Sequence, residues 1–178
     1  MPIPAQAIVI LWRIGMTGIS VGVGIVVPRL LIVMLYFLSS SEEPKKSISE
    51  HDLFNTVVNL GDFPYQESAD TLYYVASILP EHLTKVFKDA LDSLEHLRNN
   101  GIIPNRIPNR FILKRRLKSV NKEERMLAAF SLGCKINQRS ADILLKRIRS
   151  GAETDIAVLK ASRSSLAFLK KNGIILNS

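Results

Sequence analysis

One cysteine, Cys134, is all the thiol this 178-residue chain contains. That excludes an intramolecular disulfide and any multi-cysteine metal site. Cys134 follows Gly133 on an apolar stretch and reads as a small core residue rather than a nucleophile. No Asn-x-Ser/Thr acceptor occurs, which agrees with a domain facing a reducing, non-glycosylating compartment. The phosphate-binding loop, the nucleophile elbow and the dinucleotide-binding glycine motif are all missing. His51, His82 and His96 pair with no cysteine or acid at ligand spacing, and Glu81-His82 does not continue into a zinc-binding helix motif. Asp89, Asp92 and Glu95 recur every three residues outside an apolar stripe and read as a solvated helix face. The chain is therefore not expected to be an enzyme, and no catalytic residue, cofactor, metal or small-molecule substrate is assigned.

Acidic residues are missing from residues 1–38, where Arg13 and Arg29 are the only charged side chains in an otherwise apolar run ending LLIVMLYFL. The 25 residues 14–38 would span about 37 Å as a helix, enough to cross a hydrocarbon core of about 30 Å once. Two crossings would require short, re-entrant arms. A removable signal peptide fits poorly, because the apolar stretch is long and no charged region precedes it. Arg29 inside the span costs about 2.5 to 3.5 kcal/mol unless it snorkels to an interface or faces a partner or cavity. Pro28 beside it marks a kink. Gly15, Gly18 and Gly22 share one helix face and would let another membrane helix approach closely. Lys45 and Lys46 after the span place the larger domain on the side of synthesis, cytosolic or matrix.

Acid is scarce in the second half of the chain, and the two halves differ in the sign of their charge. Residues 1–100 hold 7 Lys/Arg against 11 Asp/Glu, whereas residues 101–178 hold 17 against 5. A basic half of net +12 attracts anionic lipid, nucleic acid or an acidic protein face. That half has only Phe111, Phe130 and Phe168 as aromatic residues, too few to stack single strands.

Helical signals fill the chain after the apolar leader. Ser47 with Glu50, and Asn121 with Glu124, are capping-box pairs. Leu83, Phe87, Ala90, Leu94 and Leu97 recur at helical spacing, and Ser140 heads a helix carrying Ala141, Leu144, Leu145 and Ile148. Gly61, Gly101, Gly133, Gly151 and Gly173 read as helix stops. The duplicated turns Pro104-Asn105-Arg106 and Pro108-Asn109-Arg110 separate the acidic and basic halves. The expected fold is all-α: an N-terminal transmembrane helix, kinked at Pro28, followed by a small multi-helix bundle or a solenoid-like stack of helix pairs. The expected division is a membrane anchor at 1–38, a juxtamembrane linker at 39–48, an acidic helical subdomain at 49–101 and a basic one at 102–178.

Function follows from position and charge. A helical domain held near a bilayer by a short linker reads as an adaptor or accessory subunit of a membrane assembly. Lys114, Arg115, Arg116 and Lys118, with Arg139, Lys146, Arg147 and Arg149, are the candidate anionic-ligand residues, and membrane lipid and protein are the expected partners. The alternative is a membrane-tethered nucleic-acid-binding protein. Its helix-turn-helix variant over residues 126–149 is weakened by polar Arg139 and Asp142 where that motif packs apolar side chains.

Overall fold

The structure is a computed structural model that describes residues 50–79 and 81–176. Its elements are helices α1 Glu50–Asp62 and α2 Gln66–Ile78, a 3-10 turn Glu81–Leu83, then α3 Thr84–Asn99, α4 Arg110–Arg116, α5 Lys122–Cys134, α6 Gln138–Arg149 and α7 Ile156–Lys171. Among the described residues there is no strand, and that part of the chain is all-α. None of the described helices is long and apolar enough to cross a membrane. The apolar leader, Pro28, the glycine face at Gly15, Gly18 and Gly22, and the 39–48 linker lie outside the described residues. The chain divides into two compact units, Met1–Asp52 and Leu53–Ser178, and helices α2 to α7 all belong to the second.

Helix starts are set by side chains that accept from orphan backbone donors. Asn109 accepts from Ile112 N at 3.1 Å and Asn121 from Glu124 N at 2.9 Å. Asp155 accepts from Ala157 N at 2.9 Å and Val158 N at 3.2 Å. Helix α6 departs from expectation. Asn137 caps it, accepting from Ser140 N at 3.0 Å, so Ser140 sits inside the first turn. Gly101, Gly151 and Gly173 do follow helices with positive φ. Gly61 and Gly133, read as stops, lie within α1 and α5 instead. A Cβ at Gly133 would come within 2.6 Å of Ser165 Cβ, and one at Gly61 within 2.7 Å of Ser93 Cβ. These two glycines serve helix–helix approach, a demand that local sequence does not signal.

Contacts fix the helix directions. Near the start of α5, Thr84 donates to Glu123 at 3.3 Å and Arg125 bonds Glu153 just before α7. Near its end, α5 meets Arg98 of α3 and Ser165 of α7 at Gly133. Helices α3, α5 and α7 therefore run the same way, with α6 returning between α5 and α7. Helix α5 is central: residues 127–134 are all buried, as expected of a helix surrounded by neighbours. Leu113 and Leu117 of the α4 segment, Ala128, Ala129 and Leu132 of α5, Ala141 and Leu144 of α6, and Ala161, Leu166 and Leu169 of α7 form one core cluster. Each buried leucine contributes roughly 2 kcal/mol of transfer free energy. Tyr73 of α2 joins the packing through its hydroxyl, 2.9 Å from Ser131 Oγ. Burial raises that phenol's pKa, against the hydrogen bond to Ser131 and the charge of Arg116, which lower it.

Arg98 places a cation in a largely apolar interior, because it is 0% exposed. Its guanidinium carbon lies 4.8 Å from the ring centroids of both Phe130 and Phe168. Arg98 donates to Ser165 at 3.2 Å and to Ser164 at 3.2 Å, and reaches Glu95 at 3.8 Å. Burying a cation costs several kcal/mol, which two aromatic faces and these bonds offset in part. The residue continues the row of Phe87, Leu91 and Leu94 along α3, so a charge in an apolar stripe was the signal for it. The same burial pushes the neighbouring Cys134 thiol up to about 12, despite the opposing pull of Arg98, which agrees with an unreactive core residue.

Candidate anionic interface

Helix α4 is two turns of helix laid on α5. Leu113 and Leu117 face the core and are buried, which turns Phe111, Ile112, Lys114, Arg115 and Lys118 outward. Phe111 is 76% exposed, and the Arg110 guanidinium lies 5.7 Å from its ring centroid. Arg116 is half-buried on the side toward Tyr73. The chain then turns through Ser119 to Val120, which is fully exposed.

Helix α6 buries Ser140, Ala141 and Leu144. Arg139, Asp142, Lys146 and Arg149, spaced by three, four and three residues, fall on its exposed face. Asp142, Leu145, Lys146, Arg149 and Ser150 line a shallow, open depression there. The acid in this row accepts from Gln138 at 3.0 Å, so the face carries mixed charge.

An ion cluster joins the two regions. The buried carboxylate of Glu153 receives Arg125 Nε at 3.0 Å and Arg125 Nη2 at 3.3 Å, while Arg147 Nη2 donates to it at 3.0 Å. Asp155 N adds a fourth bond at 3.1 Å. Burial alone would raise the Glu153 pKa, yet these donors outweigh it and hold the carboxyl below its ordinary value. The remaining Arg125 nitrogen donates to the carbonyls of Ser119 and Val120, both at 2.9 Å. One arginine thus ties the chain leaving α4 to the chain leaving α6. The C-terminal ends of α4 and α6 meet at one pole of the unit, bringing Lys114, Arg115, Arg116 and Lys118 toward Lys146, Arg147 and Arg149, whereas Arg139 lies at the opposite end of α6. Exposed Ile156 shares this corner.

Of the eight predicted residues, Lys114, Arg115, Lys118, Arg139, Lys146 and Arg149 are exposed. Arg116 and Arg147 are half-buried, and Arg147 is committed to Glu153. Sequence reasoning missed Arg125 and Glu153, whose pairing spans 28 residues, and missed the outward apolar residues Phe111, Ile112 and Val120. The helical wheel of residues 110–118 carried only part of the signal, since it sets Phe111 and Ile112 apart from Leu113 and Leu117 without saying which pair is buried. No group of three metal-ligating side chains is found among the described residues. Comparison with protein-family models, with curated proteins and with solved structures finds no match.

Proposed function

We propose that this chain is a membrane-anchored helical adaptor or accessory subunit of a membrane-associated assembly. In this reading residues 1–38 form a single transmembrane helix, the domain that follows is a small multi-helix bundle, with a solenoid-like stack as its variant, on the cytosolic or matrix side, and its basic half faces acidic lipid or an acidic partner. The observation that supports it most is the joining of the α4 and α6 ends by Arg125, Glu153 and Arg147, which collects separate stretches of cationic sequence at one pole. A domain held by about ten linker residues stays within about 30 Å of the bilayer, and each Lys or Arg that comes within a Debye length of an acidic leaflet, about 8 Å, adds roughly 1 kcal/mol of attraction. The test has two parts. The full chain should resist carbonate washing of membranes, and replacing Lys114, Arg115, Lys118, Arg139, Lys146 and Arg149 with Gln should reduce salt-sensitive binding to acidic vesicles or to co-purifying proteins. A chain that washes off removes the anchor, and binding that survives the six substitutions removes the electrostatic half of the reading. Nucleic acid, the alternative ligand, would give binding to duplex or single strand stronger than vesicle binding at physiological salt.

A further inference from the structure

Residues 101–122 contain seven Lys/Arg and no Asp/Glu, and within this stretch lies the most exposed apolar surface of the basic half. On the outer side of α4, Phe111 and Ile112 flank Arg115, with Lys114 and Lys118 a turn away. Phe111 and Ile112 are 76% and 44% exposed, and Val120, beyond the end of the helix, is 100% exposed. Val120 is displayed on a backbone that Arg125 holds at both the Ser119 and Val120 carbonyls.

We propose that this face of α4, together with the corner after it, docks on an acidic bilayer, with Phe111, Ile112 and Val120 entering the interfacial layer while Lys114, Arg115 and Lys118 meet the anionic headgroups. The proposal rests on the reading of the chain as bilayer-tethered, and it adds the surface, the orientation and the lipid chemistry. Apolar and cationic side chains that alternate on one exposed face suit the boundary between headgroups and acyl chains, where both find their solvent within a few ångströms. A protein interface suits them less, since charged residues are depleted from interface cores and here they divide the apolar ones. A nucleic acid would use the cations and at most the Phe111 ring, leaving Ile112 and Val120 without a partner.

The experiment places an environment-sensitive dye on the full chain. Val120→Cys offers an exposed thiol while buried Cys134 stays unlabelled, and Asn99→Cys at the far end of α3 provides the reference position. Each labelled chain is reconstituted into phosphatidylcholine vesicles with or without about 30% phosphatidylserine, an acidic surface of physiological order. The dye at 120 should shift to the blue and be quenched by lipid-borne nitroxide only in the acidic vesicles, and the dye at 99 should stay water-like. Adding Lys114→Gln, Arg115→Gln and Lys118→Gln should lower the docked-to-undocked ratio on the order of 100-fold, a factor of about five per charge. Phe111→Ser, an exposed change that leaves the fold intact, should also lower it. A water-like dye at 120 in acidic vesicles overturns the proposal. So does an equal response in neutral vesicles, or binding of the chain to RNA that is tighter than to the acidic vesicles at physiological salt. Flotation of the unlabelled chain with the same vesicles separates the failures: a chain that floats while the dye stays wet loses only this docking face, whereas a chain that does not float loses the tethered reading itself.

Discussion

Glu153 carries two arginines, so removing its charge should do more than a surface substitution does. In Glu153→Gln the shape is retained and one oxygen can still accept, but Arg125 and Arg147 face each other without an anion between them. Breaking one partner out of a buried ionic group costs about 3 to 5 kcal/mol. The carboxylate side chain is 2% exposed but the arginines are 14% and 19% exposed, so both can turn partly to water. That discounts the loss to about 2 to 3 kcal/mol. For a unit of this size each kcal/mol moves the midpoint by about 4 °C, giving a fall of about 8 to 12 °C. The pH dependence follows from the lowered carboxyl pKa. A depressed folded value means the stabilisation is complete above the ordinary value of 4.5 and is lost as pH falls from there through the folded value. The wild-type chain should therefore lose stability over that acid range, and Glu153→Gln should lose less. Thermal unfolding of the full chain in mild detergent, followed by far-UV circular dichroism at neutral and acid pH, measures both. A change below about 0.5 kcal/mol, or an unchanged acid slope, would show that the cluster behaves as a surface ion pair.

Other substitutions probe other joints. Gly133→Ala would gain about 1 kcal/mol of helix propensity on an exposed helix, but here it should cost about 1 to 3 kcal/mol net by forcing α5 from α7, and a partial rescue by Ser165→Gly in denaturant titrations would confirm the cause. Arg98→Ala should cost about 3 to 5 kcal/mol through the cavity between Phe130 and Phe168, while Arg98→Met, which fills that space without a charge, should recover most of it in the same titration. Asn121→Ala and Asn137→Ala should each cost about 1 kcal/mol of unfolding free energy in that titration, and Ser140→Ala should cost less if Asn137 is the cap of α6. Gly18→Ile should weaken co-purification of protein partners without preventing membrane insertion, and unchanged co-purification would remove the helix-packing role of that glycine.

Local signals made most of the helices legible. Asn121 with Glu124, the row from Leu83 to Leu97, and the glycines at 101, 151 and 173 each mark an end or a face within one or two turns of sequence. What escaped them are, with one local exception at the cap of α6, features set by distant residues. Gly133 reads as a stop until Ser165 is placed against it, and Ser140 reads as a cap until Asn137 is seen to take its backbone N–H. The basic clusters were visible as composition, but composition does not say that Arg147 is spent on Glu153 or that Arg125 draws the two chain ends together. The exposed apolar face of α4 was hidden for a related reason: in a run where Leu113 and Leu117 are also apolar, only the choice of buried side makes Phe111 and Ile112 outward.

Hydrogen–deuterium exchange on the full chain in lipid nanodiscs tests the central claim most directly. With acidic lipid, exchange across residues 109–120 should slow relative to neutral lipid, while α3 and the C-terminal end of α7 should not change. Equal exchange in both lipids across 109–120, or slowing confined to α2 and α3, would contradict a basic pole held against an acidic bilayer.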